Sequence, residues 1–443
     1  MPTFPREPVP DTTLAFGLDP YGYVARRCRH HGSDVFETRL LGKRTLCMTG
    51  PEAAALFYDP ARFQRTGAAP LRVQWTLFGR GGIQATDDAV HRGRKTMFLS
   101  VAGPEAARRM GDAFVHAWRE ALPGWASAGR VTLYDAMHPV LTRAVWEWAG
   151  LPMPAEGLGD RESQLRAMFD AAGAVGPRHW HSRLSRAKAE AWAAGLVRDA
   201  RAGRVDLPEE SPAQAVCAHR EPDGALLTPR IAAVELLNLL RPTVALSVYV
   251  TFLAHALHEH PAYRDRVAGD PLLAEWFVLE VRRLYPIFPA TVALVRDDFD
   301  WKGYRFERGT RVMLDLHGTG RDARAWADPT RFNPERFSGW RGDPYTLIPQ
   351  GGGDHLVNHR CPGEWITIEV MKRALGVLTG GMSYEVDPDQ DLRLTRRRLP
   401  AIPRDGFVIR GVQPVDGPAW QRPEPAEVVT LPRCPVPHGA RTP

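Results

Sequence analysis

Apolar residues recur three or four positions apart over residues 107–122, 165–172, 183–202, 229–260 and 271–284, with Pro or Gly near the ends of each stretch. This is the pattern of helices that bury one face. Residues 35–48 predict a short β-hairpin turning at Gly42 and Lys43, and a helix is expected from Pro51, a residue suited to the first helical position. Further strands are expected late, at 292–295, 311–316 and 407–410. With no internal repeat and no interior linker, the pattern predicts a mainly α, α+β domain over residues 1–412. A Pro-rich, aperiodic and extended segment is expected over 413–443.

Composition adds little to this picture but removes several alternatives. With 44% hydrophobic and 24% charged residues a large core is feasible. The formal charge of +6, from 57 Lys and Arg against 51 Asp and Glu, is too small and too dispersed for a nucleic-acid surface. The tightest basic run, residues 396–398, reads as a solvated loop. Five cysteines, Cys28, Cys47, Cys217, Cys361 and Cys434, show no paired spacing, so a disulfide framework is not expected. The first ten residues lack the apolar run of a secretory signal. The longest uncharged apolar stretch, residues 242–254, is shorter than the roughly 20 residues that span a bilayer. A cytoplasmic protein without a membrane span is the expectation.

The most informative segment is Ile348-Pro-Gln-Gly-Gly-Gly-Asp-His-Leu-Val-Asn-His-Arg-Cys-Pro-Gly-Glu-Trp-Ile. Three glycines allow close approach of the backbone, and Cys361 leads through Pro362 and Gly363 into an apolar helix over 365–378. N–H groups at a helix start favour a thiolate, which is the metal-ligating form of cysteine. Three readings stand at this point: a buried small residue, a zinc site with His355 and His359, or an iron ligand. Elsewhere the chain carries Glu280-Val-Arg-Arg283 and Phe332-Asn-Pro-Glu-Arg-Phe337.

In that order and spacing the three elements resemble the cytochrome P450 superfamily over most of the chain. The resemblance implies a buried haem with Cys361 as its axial ligand, and an ion-pair network of Glu280, Arg283 and Arg336 behind it. Two departures stand out. Seven residues, 354–360, separate the last loop glycine from Cys361, and Ile348 stands near where Phe is usual. The long central helix reads Asn238-Leu-Leu-Arg-Pro-Thr-Val-Ala245, without the acid or amide beside Thr that monooxygenases of the superfamily use to deliver protons.

Arg241 lies among leucines and valines, where an unpaired charge is costly and a guanidinium cannot shed its proton. From the residues alone it is either one half of a structural salt bridge, with Glu235 or an acid from elsewhere, or a ligand-binding group. Pro242 removes a helical N–H and is expected to kink or loosen the helix there. Together with the long glycine loop and the run Cys-Pro-Gly-Glu-Trp-Ile-Thr-Ile-Glu-Val-Met, Arg241-Pro242 resembles the bacterial fatty-acid peroxygenases and their decarboxylase relatives.

That likeness implies haem b, hydrogen peroxide as oxidant, a long-chain fatty acid as substrate hydroxylated at the α or β carbon, and no redox partner. Arg241 would bind the carboxylate, with Pro242 beside it. The same likeness makes Arg65, His91, Lys95 and His359 candidates to meet the haem propionates, and Phe78, Gln84, Ala245 and Phe288 candidates to line the distal pocket. Three other readings remain open: a monooxygenase fed by a ferredoxin or flavodoxin, a decarboxylase releasing terminal alkenes, and a haem- or zinc-binding module without turnover. Cys434-Pro435 is a further, peripheral candidate for a haem contact.

Overall fold

The computed structural model describes residues 3–154 and 156–420. Cys434 and most of the Pro-rich segment lie outside the described residues. Long helices form the body: Pro104–Ala128, Leu133–Trp148, Leu158–Asp170, Pro177–Arg201, Pro229–Val244, Ser247–Glu259, Pro271–Leu284 and Glu364–Gly376. Their apolar faces meet in one large cluster that includes Trp118, Leu141, Leu240, Phe252 and Val370. Beside it a five-stranded sheet runs in the order Val35–Leu40, Lys43–Met48, Arg311–Asp315, Ala290–Val295, Phe63–Gln64. The second and third strands are parallel, with Thr45 opposite Arg311, and the other pairs are antiparallel.

The first hairpin turns at Leu41 and Gly42, one residue earlier than the sequence predicts. Both have positive φ, 53° and 72°, as a two-residue turn matched to strand twist requires. The Leu41 and Gly42 N–H groups are bound by Thr13 Oγ1 (2.5 Å) and an Asp11 carboxylate oxygen (2.7 Å). Those long-range bonds hold a leucine in a conformation it rarely adopts.

The helix expected over 229–260 is two helices. Helical geometry continues through Pro242 and stops at Ala245 and Leu246, one turn downstream of the expected kink. Tight turns close the gap, with Leu246 N–H donating to Thr243 O and Val248 N–H to Ala245 O, both at 3.1 Å. Taken end to end, Pro229–Glu259 is long and apolar enough to cross a membrane, yet 83% of its most apolar window is buried inside the protein. It is the core of the fold.

Strand Val408–Pro414 is the middle of a second sheet, between Arg130–Thr132 and Met382–Val386. It runs past residue 412, so the sheet holds the first residues of the Pro-rich segment, and Trp420 packs close over Gly381. The basic run is not fully solvated either. Arg398 donates to Asp170 at 2.6 Å and lies over the Tyr134 ring, because an acid on a neighbouring helix end draws it inward.

Helix Pro271–Leu284 ties the late loops to this core. Glu280, fully buried, is gripped by Arg283 through two bonds of 2.7 Å, by the Asn333 N–H (2.9 Å) and by Arg336 Nε (3.2 Å). Arg283 also donates to the carbonyls of Gly320 and Pro329. Removing one member of such a buried set strands the rest without water. Glu280→Ala is therefore expected to lower unfolding free energy by about 3–5 kcal/mol, read from urea denaturation, and a loss below about 1 kcal/mol would show that the network does not hold the fold.

Candidate active site around Cys361 and Arg241

The loop before Cys361 is built on close backbone approach. A Cβ on Gly351 (φ 97°) would come within 2.7 Å of His359 O, and one on Gly353 (φ 82°) within 2.3 Å of Asn358 Oδ1. Asn358 earns its place by accepting from Asp354 N–H (2.7 Å) and donating to Tyr58 O (2.5 Å). The extra residues between the glycines and Cys361 thus form a folded turn with its own anchors. Cys361 N–H donates to Gln350 O at 2.9 Å, and helix Glu364–Gly376 starts three residues on.

Burial pushes the Cys361 thiol up, while the Gly363 N–H, Lys95 and Arg282 pull it down. The other described cysteines, Cys28, Cys47 and Cys217, lie inside helices or a strand, with thiols pushed up by burial. Cys361 alone among them heads a helix.

Glu364 fixes this loop from below. Its buried carboxylate accepts from Arg282 (2.5 Å), Arg360 Nε (2.7 Å) and His355 Nε2 (3.0 Å), and Arg282 also reaches Gln350 Oε1 (3.1 Å). The Arg282 and Arg360 guanidiniums hold the Glu364 carboxyl well below its ordinary range. His355 also stacks on Trp365, whereas His359 stacks on His91. The three zinc-type residues therefore have different employment, and no group of three or more metal-ligating side chains gathers among the described residues. Sequence spacing could suggest Arg360–Glu364, an i,i+4 pair. Nothing in it points to Arg282, whose partner is 82 residues away.

Arg65, His91, Lys95 and His359 come together. The His91 and His359 rings stack with centroids 3.9 Å apart, and His359 Nε2 leans toward Asp87 at 3.7 Å. Burial brings His91 down to about 2 and His359 to about 4, so both are neutral N–H donors. Positive charge comes from Arg65 and from Lys95, whose ammonium burial lowers to about 8. Arg65 donates to Val292 O (2.6 Å) and lies over Phe57, and Lys95 donates to the Arg360 carbonyl beside Cys361. His91 Nε2 is buried without a partner among the described residues.

Arg241 sits on the buried face of the central helix, only 5% exposed. Its Nε has no hydrogen-bond partner, and no acid among the described residues is paired with it. Glu235 is already taken by Arg94 (2.8 Å) and Asn238 (3.0 Å), so the salt bridge that the sequence leaves open does not form there. Burial and the nearby Arg186 guanidinium bring Arg241 down to about 9, with the Cys361 sulfur the opposing influence. Two buried guanidiniums, Arg241 and Arg186, thus face each other's field with unpartnered atoms on both.

The remaining pocket candidates are part-buried. Phe78 ends the turn Gln74–Phe78, Ala245 closes the central helix with its N–H on Arg241 O (3.1 Å), and Phe288 packs between the helical and sheet cores. Pro242 adjoins Arg241 within the helix. Gln84 lies in a short turn, Ile83–Ala85, just before helix Asp88–Ala102, and accepts from Asn238 Nδ2 at 3.2 Å.

Comparison with known proteins decides the family. A family model, "Cytochrome P450", matches residues 260–404. A solved structure of a variant of cytochrome P450SP alpha (CYP152B1) is 48% identical, with TM-score 0.90, over 92% of this chain and all of that one. This chain is a cytochrome P450. Cytochrome P450EX alpha (CYP152N1), solved with myristic acid, is 38% identical over 94% of this P450 and all of its own chain, and a variant of P450 OleT, solved with arachidonic acid, is 32% identical over the same shares, both at TM-score 0.90. Curated relatives match about a third of the chain. "Putative cytochrome P450 137" of Mycobacterium tuberculosis is 30% identical over 35% of this chain and 32% of its own length, and nicotine N-demethylase CYP82E4 of Nicotiana tabacum 32% identical over 33% and 27%. The P450 therefore spans about a third of the length of those relatives.

The family implies a haem-thiolate iron, and the residues present fit it. A helix-heading cysteine would supply the sulfur, and a cluster of two cations and two imidazoles, one with an orphaned ring nitrogen, would suit the haem's carboxylates. Cys361→Ala is expected to lose the red-shifted Soret band of the reduced, CO-bound protein, while the same change at Cys217 keeps it; retention by Cys361→Ala would rule out this ligand.

Proposed function

We propose that this P450 is a haem b peroxygenase that uses hydrogen peroxide to hydroxylate long-chain fatty acids at the α or β carbon, without a redox partner. The unpartnered, buried guanidinium of Arg241 carries the proposal. A charge withdrawn from water needs a counter-charge, and no acid among the described residues is paired with it, so the substrate's carboxylate is the fitting partner. Cytochrome P450EX alpha and P450 OleT, solved with myristic and arachidonic acid, support the same substrate class. The helix composition supports it too, since it has no acid beside Thr243 to move a proton.

Bound haem supplies peroxide activation and oxygen transfer to carbon. The protein's part is to hold the acid and its proton. Each charge-assisted hydrogen bond from Arg241 contributes roughly 1.5–3 kcal/mol and sets orientation. Most affinity comes from the tail, at about 0.8 kcal/mol per buried CH2 before ordering is subtracted. The carboxylate held at Arg241 then serves as the general acid and base that the helix lacks. The sulfur of Cys361, at the head of helix Glu364–Gly376, would be the electron-donating ligand. We place the activity in the cytoplasm and in the body of the chain ahead of the Pro-rich segment.

Gln84 bears on the product. Alkene release is favoured by a group that can gain a proton beside the carboxylate, and an amide stays neutral at every working pH. Wild-type products are expected to be 2- or 3-hydroxy acids with little alkene, and Gln84→His to raise the alkene share; product analysis by gas chromatography checks both, and a wild type making mainly terminal alkene overturns the hydroxylase reading.

Arg241→Ala is expected to bind haem with an unchanged thiolate spectrum while kcat/KM for peroxide-driven fatty-acid oxidation falls at least about 100-fold, the loss of two charge-assisted bonds. Added short carboxylic acids should not restore turnover. Normal turnover by this variant would remove the carboxylate-anchor mechanism.

A further inference from the structure

Glu235 is fully buried in the central helix, two turns before Arg241. One of its oxygens accepts from Arg94 Nη1 (2.8 Å) and the other from Asn238 Nδ2 (3.0 Å). Arg94 is shared with Glu221 (Nε, 3.0 Å) and the Gly81 carbonyl (2.6 Å). The same Asn238 Nδ2 donates to Gln84 Oε1 at 3.2 Å. A Cβ on Gly82 would come within 2.9 Å of Asn238 Nδ2 and 3.2 Å of Gln84 Oε1, so the loop lies flush against the amide pair.

The polarity of this chain is dictated from its buried end. A carboxylate paired with a guanidinium accepts and cannot donate. Asn238 must therefore turn its NH2 toward Glu235. That group has two hydrogens, and the second goes to Gln84, which must answer with its carbonyl. The NH2 of Gln84 is thereby directed away from Asn238. Nothing on the far side of Asn238 enforces the arrangement, because its Oδ1 is buried without a partner among the described residues.

We propose that Glu235, acting through Asn238, fixes the hydrogen-bonding sense of Gln84, so that Gln84 turns its NH2 and not its carbonyl toward the substrate's oxygens beside Arg241. Asn238 stands one turn before Arg241 on the same helix face. The inference rests on Arg241 being the carboxylate site and adds its selectivity. A carboxylate only accepts and gains from the Gln84 NH2, whereas an alcohol can pair with either sense of the amide. Glu235 and Asn238 are positioning residues, with Gln84 the group that faces substrate.

Glu235→Gln keeps shape but lets the side chain donate, so Asn238 and then Gln84 are free to reverse, while Arg94 retains Glu221 and the Gly81 carbonyl. Calorimetric titration of the haem-loaded protein with a saturated long-chain acid and the primary alcohol of equal length reads the effect. The acid's Kd is expected to rise about 10- to 150-fold, the worth of one charge-assisted bond, with the alcohol's nearly unchanged. Asn238→Leu, which cuts the relay and leaves Glu235 on Arg94, should do the same if Glu235→Gln proves unstable. In a Gln84→Ala background Glu235→Gln should add no further loss. Equal weakening of both ligands, an unchanged acid preference, or the full loss without Gln84 would each overturn the relay. If the wild type itself shows no preference for acid and no dependence on Arg241, it is the carboxylate site that fails.

Discussion

Charge kept from water must be answered by opposite charge or by hydrogen bonds, and helix Pro271–Leu284 does so in two directions at once. On one side Glu280 and Arg283 bind the loop that carries Asn333 and Arg336. On the other, Arg282 holds Glu364 and Gln350 under the cysteine loop. Adjacent arginines thus point into different networks, and the sulfur is positioned by a helix that it does not belong to. The large apolar cluster supplies the mass of the fold. The paired charges supply its register, since moving either loop would leave a guanidinium or carboxylate bare.

The region around Arg241 is built on the opposite rule. Beneath Cys361 the buried Arg282 and Arg360 share Glu364, and Arg186 has Glu190 at 2.7 Å, whereas Arg241 has no acid paired with it among the described residues. Such a deficit of negative charge is costly to the resting protein. It is also what would let a single anionic ligand be recognised against neutral molecules of the same length, because its binding would remove the deficit.

The large-scale architecture is legible in the sequence because helical spacing reports which face is buried, and the long helices show that spacing. The cysteine loop is legible too, since three glycines, a Cys and a helix start are consecutive. Pairing is much less so. Spacing locates Glu280 with Arg283, three residues apart, but not Arg282 with Glu364 or Glu235 with Arg94, separated by 82 and 141 residues. Glu235 was the natural partner to expect for Arg241, and only the fold shows that Arg94 has claimed it. The hairpin turn is shifted by one residue because distant groups, Thr13 and Asp11, decide what local propensity leaves open.

The second sheet sets an order on how the chain is completed. Its middle strand, Val408–Pro414, pairs with Arg130–Thr132 on one edge and Met382–Val386 on the other. Until that strand leaves the ribosome, the two outer strands have nothing to pair with, and the contact to be closed spans more than half of the sequence. Loop closure of that length is slow relative to local helix formation. The helical body can therefore gather during synthesis, but the edge of the molecule that joins its early and late halves is sealed only afterwards, which makes the nascent chain dependent on protection of the open Arg130–Thr132 edge for most of its translation.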